Sequence, residues 1–287
     1  MQWKGRRQSQ NVQDRRSGGT KKAVAGGGIL AVVVAAAMML FSGNGLDLSK
    51  LIGIATEQGM TATSVNYQSP YSEAQEAELV EFVGVVLAET EDVWNTEFRK
   101  MGTTYKEPAL EIFAGQTQSG CGAATYQSGP FYCSADEKVY LDLEFFYELD
   151  TKYAKGEFPR AYVIAHEIGH HVQHLTGILE KVHSYNGTSK YNQMSVRLEL
   201  HADFLAGVWA NKSKSNLSLT DADIRDALNA ASAIGDDKLQ KQAQGYAVPD
   251  SFTHGTSEQR MRWFKKGYDT GDINAGDVLF TMDYNRL

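Results

Sequence analysis

The chain has 287 residues, of which 42% are hydrophobic and 22% charged, enough apolar material to bury one good-sized core in a single domain with appendages. Its formal net charge of −7 conceals an asymmetry, because residues 1–22 carry Lys4, Arg6, Arg7, Arg15, Arg16, Lys21 and Lys22 against Asp14 alone. The rest of the chain is therefore strongly acidic, which argues against nucleic acid as a partner.

The basic segment runs directly into Ala23–Phe41, an uncharged stretch dominated by Ala, Val, Leu, Met and Gly. Such a run is long enough to cross the hydrocarbon core of a bilayer. A buried core helix would rarely lack every polar residue over this length, and a cleaved signal peptide is the stronger rival. The run exceeds the usual h-region of roughly 7–15 residues, and Ser42-Gly43-Asn44-Gly45 offers no A-x-A cleavage site. The expectation is a retained single-pass anchor at 23–41 in the lipid bilayer of the cytoplasmic membrane. Residues 1–22 then form a basic cytoplasmic tail, since cations resist transfer across the membrane. Residues 42–70, rich in small polar side chains, read as a linker, and residues 71–287 as the domain on the periplasmic or extracellular side. Cys121 and Cys133, the only two cysteines, would sit in an oxidising compartment and read as one disulfide.

Within the domain, Ser72 and Gln75 have capping-box spacing, and Leu79, Phe82, Val83, Val86 and Leu87 recur at helical intervals. This predicts a long amphipathic helix over 73–100. Residues 109–114 (ALEIFA) and 138–143 (KVYLDL) alternate apolar and polar side chains, as strands with one buried face do. Helices are expected near 158–176, 190–211, 221–233, 236–244 and 257–267, the last capped by Thr256 or Ser257. The order of helix, small sheet and further helices places the domain in the α+β class.

The segment from Ala161 to His170 contains His166-Glu167-x-x-His170. Two histidines four apart share one helix face, so both imidazoles can reach one metal. Zinc takes imidazole nitrogen readily and needs three protein ligands plus one open position for catalysis. Glu167, beside the first histidine, is placed to take a proton from an attacking water. The same four-residue motif can arise by chance on a charged helix, but Val163, Ile164, Ala165, Ile168 and Val172 make this one largely apolar, and a buried ionisable cluster demands a purpose.

A third ligand ten residues after His166 is excluded because Thr176 stands there. Farther on, Arg197-Leu-Glu-Leu-His-Ala-Asp203 offers Glu199 as ligand and Asp203, four residues later, as the carboxylate that orients His166. His201 is the rival ligand, but it lies two residues from Glu199 and so points to another side of the helix. His171, His174, His183 and His201 are read as structural or surface histidines. His254, in the turn Phe252-Thr-His-Gly-Thr-Ser-Glu-Gln-Arg260, is either an oxyanion donor or a turn residue.

Taken together, Trp3-Lys-Gly-Arg-Arg7, Asp14-Arg-Arg16, Ser119-Gly-Cys-Gly-Ala-Ala124, Gly129-Pro-Phe-Tyr-Cys133, His166-Glu-Ile-Gly-His-His-Val-Gln173, Glu199-Leu-His-Ala-Asp203 and His254-Gly-Thr-Ser-Glu-Gln-Arg260 resemble the bacterial neutral zinc metallopeptidase family over almost the whole chain. The resemblance implies a zincin-like fold of the glutamate-ligand type, with one Zn2+ held by His166, His170 and Glu199 and a peptide or protein as substrate. Two positions depart from the family pattern, which more often has Gln at His201 and Cys at Phe204; neither is a proposed ligand. Three readings follow: a metallopeptidase, more readily an endopeptidase; a catalytically inactive zincin-like binding module; and a zinc amidase acting on a non-protein amide. An intact Glu167 favours a working enzyme.

Overall fold

A computed structural model describes residues 1–16 and 69–287. The expected span at 23–41 and nearly all of the 42–70 linker lie outside the described residues, and among the described residues no helix is long and apolar enough to cross a membrane. The elements run β1 (Val12–Asp14), α1 (Glu73–Lys100), β2 (Ala109–Phe113), β3 (Gln116–Ser119), β4 (Gly122–Thr125), β5 (Phe131–Cys133) and β6 (Lys138–Asp142). They continue with α2 (Glu144–Glu148), α3 (Glu157–Leu175), α4 (Ile178–His183), α5 (Tyr191–Ser213), α6 (Asp221–Ala233), α7 (Asp236–Gln244) and α8 (Ser257–Thr270). The class is α+β and mostly helical.

Helix α1 starts where the capping box puts it. The Ser72 hydroxyl accepts from the Gln75 backbone N–H, and the Gln75 side chain accepts from Ser72 N–H at 2.9 Å, so two of the orphan donors at the helix start are satisfied. Glu73 and Glu76 in the first turn and Arg99 and Lys100 in the last complement the helix dipole. An apolar stripe down one side is the expectation, yet residues 82–91 are buried on every side.

The reason is a correction to the domain boundaries. Residues 1–16 are no separate tail: they pack along α1 and join the main sheet. Strand β1 pairs in parallel with β2, β2 in parallel with β6, and β6 antiparallel with β5, giving the order β1-β2-β6-β5. Trp3 is only 3% exposed and meets Phe82 edge-on at 5.3 Å between ring centroids. Ser9 N–H donates to the Gly84 carbonyl at 2.9 Å. The cations meet the acids of α1: Arg6 Nη2 lies 2.9 Å from Glu89, and Arg7 Nη1 lies 3.0 Å from Glu91. Glu89 and Glu91 are both buried, so these pairings remove charges that would otherwise be costly inside the fold.

Short elements absent from the expected set complete the sheet region. The β3–β4 hairpin and β5 occupy the loop between the two anticipated strands, and Cys121, in the hairpin turn, is bonded to Cys133 at the end of β5. The bridge packs with Phe113, Ala124, Phe131 and Tyr140, fastening the hairpin to the sheet edge.

Below the sheet, α3 crosses α5 at Gly169. A Cβ there would lie 3.1 Å from the Ala202 carbonyl oxygen and 3.2 Å from Ala202 Cα, so only glycine permits this approach without displacement. Helix α5 meets α8 more closely still: a Cβ on Gly207 would sit 2.0 Å from the Phe264 carbonyl oxygen, and one on Gly267 2.0 Å from that of Phe204. The α3–α5–α8 stack therefore has its backbones in near contact.

Two outcomes are expected. Trp3→Ala should destabilise the full chain by about 3–5 kcal/mol, the cost typical of emptying a buried aromatic site; a freely hanging tail would give no shift in a denaturant titration. Replacing both cysteines by alanine should cost on the order of 3 kcal/mol, because the bridge closes a short loop, and thiol trapping followed by mass spectrometry should find Cys121 and Cys133 oxidised.

Candidate metal centre

Helix α3 is apolar enough to be buried from Ala161 to Gln173, and this burial carries His166, Glu167 and His170 into the core while leaving them at the floor of an open cleft. Helix α5 is buried from Ser195 to Ala210 and brings Glu199 against them through the Gly169 crossing. His166, His170 and Glu199 each offer one ligand atom, all within 4.8 Å of one another. His166 Nε2 lies 3.2 Å from Glu199 Oε2, and His170 Nε2 lies 3.5 Å from Glu199 Oε1. Donors bound tetrahedrally at about 2.0–2.1 Å from one zinc ion stand about 3.3 Å apart, so the spacing fits. The two imidazoles and one carboxylate suit Zn2+ chemically, and the buried Glu199 Oε1 has no hydrogen-bond partner, leaving a lone pair facing the cluster.

The back of each histidine is held. His166 Nδ1 donates to Asp203 Oδ1 at 2.8 Å, which fixes the tautomer and leaves Nε2 as the free donor atom. Asp203 in turn accepts from the Tyr162 hydroxyl at 2.5 Å and from Arg260 Nε and Nη2 at 2.8 and 2.9 Å. Gln173 performs the matching service for His170. Its Oε1 accepts from His170 Nδ1 at 2.8 Å, while its Nε2 donates to the Leu198 carbonyl and toward His201 Nδ1. His201 is therefore on the far side of Gln173 from the cluster, stacked against Phe204 with centroids 5.9 Å apart, and is not among the three converging ligand atoms.

Electrostatics follow from these contacts. Burial opposes charge on His166, but Asp203 and Glu199 outweigh it and push the ring up to about 10. That pull toward positive charge at His166 Nε2 is what a cation site produces. Burial holds His170 down to about 4 against the attraction of Glu199. For Glu199, burial works against ionisation, yet His170 and His166 keep the carboxyl below its ordinary range. Asp203 is likewise buried but held at about 2 by Arg260 and His166. Glu167 goes the other way: burial pushes it up to about 7, with His166 and the Tyr132 backbone partly offsetting the rise, and its Oε2 has no hydrogen-bond partner.

His254 also lines the cleft, with Ser128, Gly129, Pro130, Phe145, Val163 and Ile234. Its position depends on Asp236 at the start of α7. Asp236 Oδ2 accepts from the backbone N–H groups of Thr253, His254 and Gly255 at 2.7, 2.7 and 3.2 Å, and Oδ1 lies 3.1 Å from His254 Nδ1. Burial lowers the affinity of His254 for a proton, but Asp236 dominates and raises it. The other histidines lie away from the cluster. His171 bonds the Lys106 carbonyl and the Tyr132 hydroxyl, tying α3 to β5, and His174 pairs with Glu180 at the surface. His183 is on α4.

Sequence reasoning did not single out Gln173, Asp236, Arg260 or Tyr162. Gln173 lies seven residues after His166, on the same helix face, and a carboxamide two turns along from a ligand was the available signal. Arg260 and Asp236 come from distant segments, and no local spacing reveals them.

A family model described as "Putative neutral zinc metallopeptidase" matches residues 1–279. The relative printed as "Uncharacterized protein YpfJ" of Escherichia coli strain K12 is 46% identical over 287 residues, covering 95% of this chain and 96% of that protein. "Uncharacterized protein Rv2575" of Mycobacterium tuberculosis strain H37Rv is 42% identical over 191 residues, covering 62% of this chain and 64% of that protein. No solved structure matches.

Metal titration of purified variants should separate the roles. Glu199→Ala should abolish stoichiometric zinc uptake, whereas His201→Ala should retain it. Asp203→Asn and Gln173→Ala should each weaken zinc affinity by about 10- to 100-fold, the range typical of groups that orient a metal-binding histidine. Full zinc retention in Glu199→Ala would remove it as a ligand.

Proposed function

Because the chain belongs to the family described as neutral zinc metallopeptidases, we propose that it is a zinc-dependent peptidase in which His166, His170 and Glu199 hold the metal and Glu167 is the general base. The observation that carries this reading is the pairing of a converged two-imidazole, one-carboxylate set with a neighbouring carboxylate that makes no hydrogen bond through one oxygen. The fold is read as zincin-like, a metal-bearing helix packed beneath a small sheet. Zinc, when bound, would act as a Lewis acid and lower the pKa of a water.

The chain's own groups then have separable tasks. Glu167 Oε2, with a proton affinity near neutrality, can take a proton from water and return it to the departing amine nitrogen, which is where a general acid–base group works best. His254, held by Asp236 and biased toward the protonated form, is placed to donate a hydrogen bond to the oxygen on which negative charge develops. Asp203 and Gln173 keep the imidazoles in one tautomer and orientation. The apolar walls given by Pro130, Phe145, Val163 and Ile234 suit a peptide side chain better than a sugar-linked amide.

An endopeptidase is favoured over an exopeptidase on charge grounds. Recognition of a substrate's terminal carboxylate needs a cation with spare hydrogen bonds, and the guanidinium lining the cleft, Arg260, is committed to Asp203, Tyr162 and the Ile234 carbonyl. The Cys121–Cys133 bridge favours an oxidising compartment outside the cytoplasm.

Glu167→Gln should keep its fold and its zinc but lose hydrolysis of a quenched fluorescent peptide library by about 100-fold or more, the usual share of a positioned general base. Undiminished turnover in that variant would reject the assignment. A zinc-loaded wild-type chain that cleaves nothing in the library would favour the inactive binding module.

A further inference from the structure

Chain segments on either side of residues 17–68 meet at one place. Arg16 Nη1 donates to Glu76 Oε2 at 2.7 Å in the first turn of α1, and Ser69, Pro70 and Tyr71 lead directly into the Ser72 cap of the same helix. Upstream of Arg16 the attachment is continuous. It includes the β1–β2 ladder, buried Trp3, and a one-to-one matching of cations with acids of the domain: Lys4 with Glu78, Arg6 with Glu89, Arg7 with Glu91 and Arg15 with Glu111. The family match also begins at residue 1, so this attachment lies within the shared domain.

We infer that residues 1–16 and the body formed by residues 69–287 lie on the same side of any membrane that residues 23–41 enter. A single crossing by 23–41 would put them on opposite sides. That would expose Trp3 and the apolar faces it covers, and would leave Glu89 and Glu91 without their arginines. Residues 42–68 offer no return crossing, because Asp47, Lys50 and Glu57 interrupt them and no apolar run of about 20 residues remains. The positive charge that suggests a cytoplasmic tail has another explanation in the fold, since most of it is matched by carboxylates of the domain and does not act as a free topogenic signal. The single-pass arrangement with an N-terminus apart from the catalytic body is replaced by a chain that leaves the body at Arg16 and rejoins it at Ser69.

Two measurements on the full chain in its native membrane test this. Gln10 and Lys241 are exposed; Q10C and K241C variants are treated with a membrane-impermeant maleimide on intact spheroplasts and after lysis, and labelling at each position is read by mass spectrometry. The expected result is that both positions are labelled in intact spheroplasts or both only after lysis; labelling of one alone in intact spheroplasts overturns the inference. The second measurement reports docking directly. A Cβ at Gly84 would lie 3.3 Å from Gln8 Cβ, close to the roughly 3.5–4.5 Å spanned by a disulfide. A Q8C/G84C chain oxidised in isolated membranes should cross-link in the majority of molecules. If it bridges only after purification and remains reduced in membranes, the segment is undocked there and the inference fails.

Discussion

The approach of α3 to α5 at Gly169 is the constraint on which the centre depends. Two helices that each bury a full turn and more of polar side chains can hold them only if those side chains find one another, and side chains of this length do so only when the backbones nearly touch. With Gly169 against Ala202, Glu199 reaches both histidines of α3 and Asp203 reaches behind the first. The Gly207 and Gly267 contacts repeat the device one layer out and bring Arg260 of α8 against Asp203. The site is thus a product of helix spacing, with the small residues acting as spacers of minimum thickness.

Every ionisable group placed in this interior is answered by another, and the answers come from far away in sequence. Asp203 is satisfied by Tyr162, His166 and Arg260, and Asp236 by three backbone N–H groups and a histidine. Along α1, the buried acids Glu89 and Glu91 are answered by Arg6, Arg7, Ser9 and Asn11. Buried networks of this kind contribute specificity only when every member is satisfied, because a single missing partner leaves a desolvated charge.

Long helices were legible in the sequence because their signals are local. The Ser72–Gln75 box marks the start of α1, and strong periodicity marks α3, α5 and α8, so their bounds fall within a few residues of expectation. Strands of three or four residues have too few positions to display a period, which is why β1, β5 and the β3–β4 hairpin escaped notice. The convergence of His166, His170 and Glu199 could be anticipated from four-residue spacing on two helices. Gln173 stood in plain sight on the same face, whereas Arg260 and Asp236 reach the site through tertiary contacts between segments that no window spans. The docking of residues 1–16 was hidden for a related reason: its cations look like a free basic tail until their partners, some eighty residues distant, are known.

The unequal backing of the two histidines sets the electron supply to a dication in this cleft. Asp203, behind His166, shares its charge with Arg260, so the guanidinium cancels most of the electron push that a lone carboxylate would send through the imidazole. Gln173, behind His170, is a neutral amide and sends little. Glu199 is then the one ligand whose negative charge is uncompensated nearby, and an ion bound here would retain more of its charge than one surrounded by several anions. Such an ion is a stronger electrophile toward an incoming oxygen, and the arginine that seems to serve only the architecture also governs how acidic the centre can be.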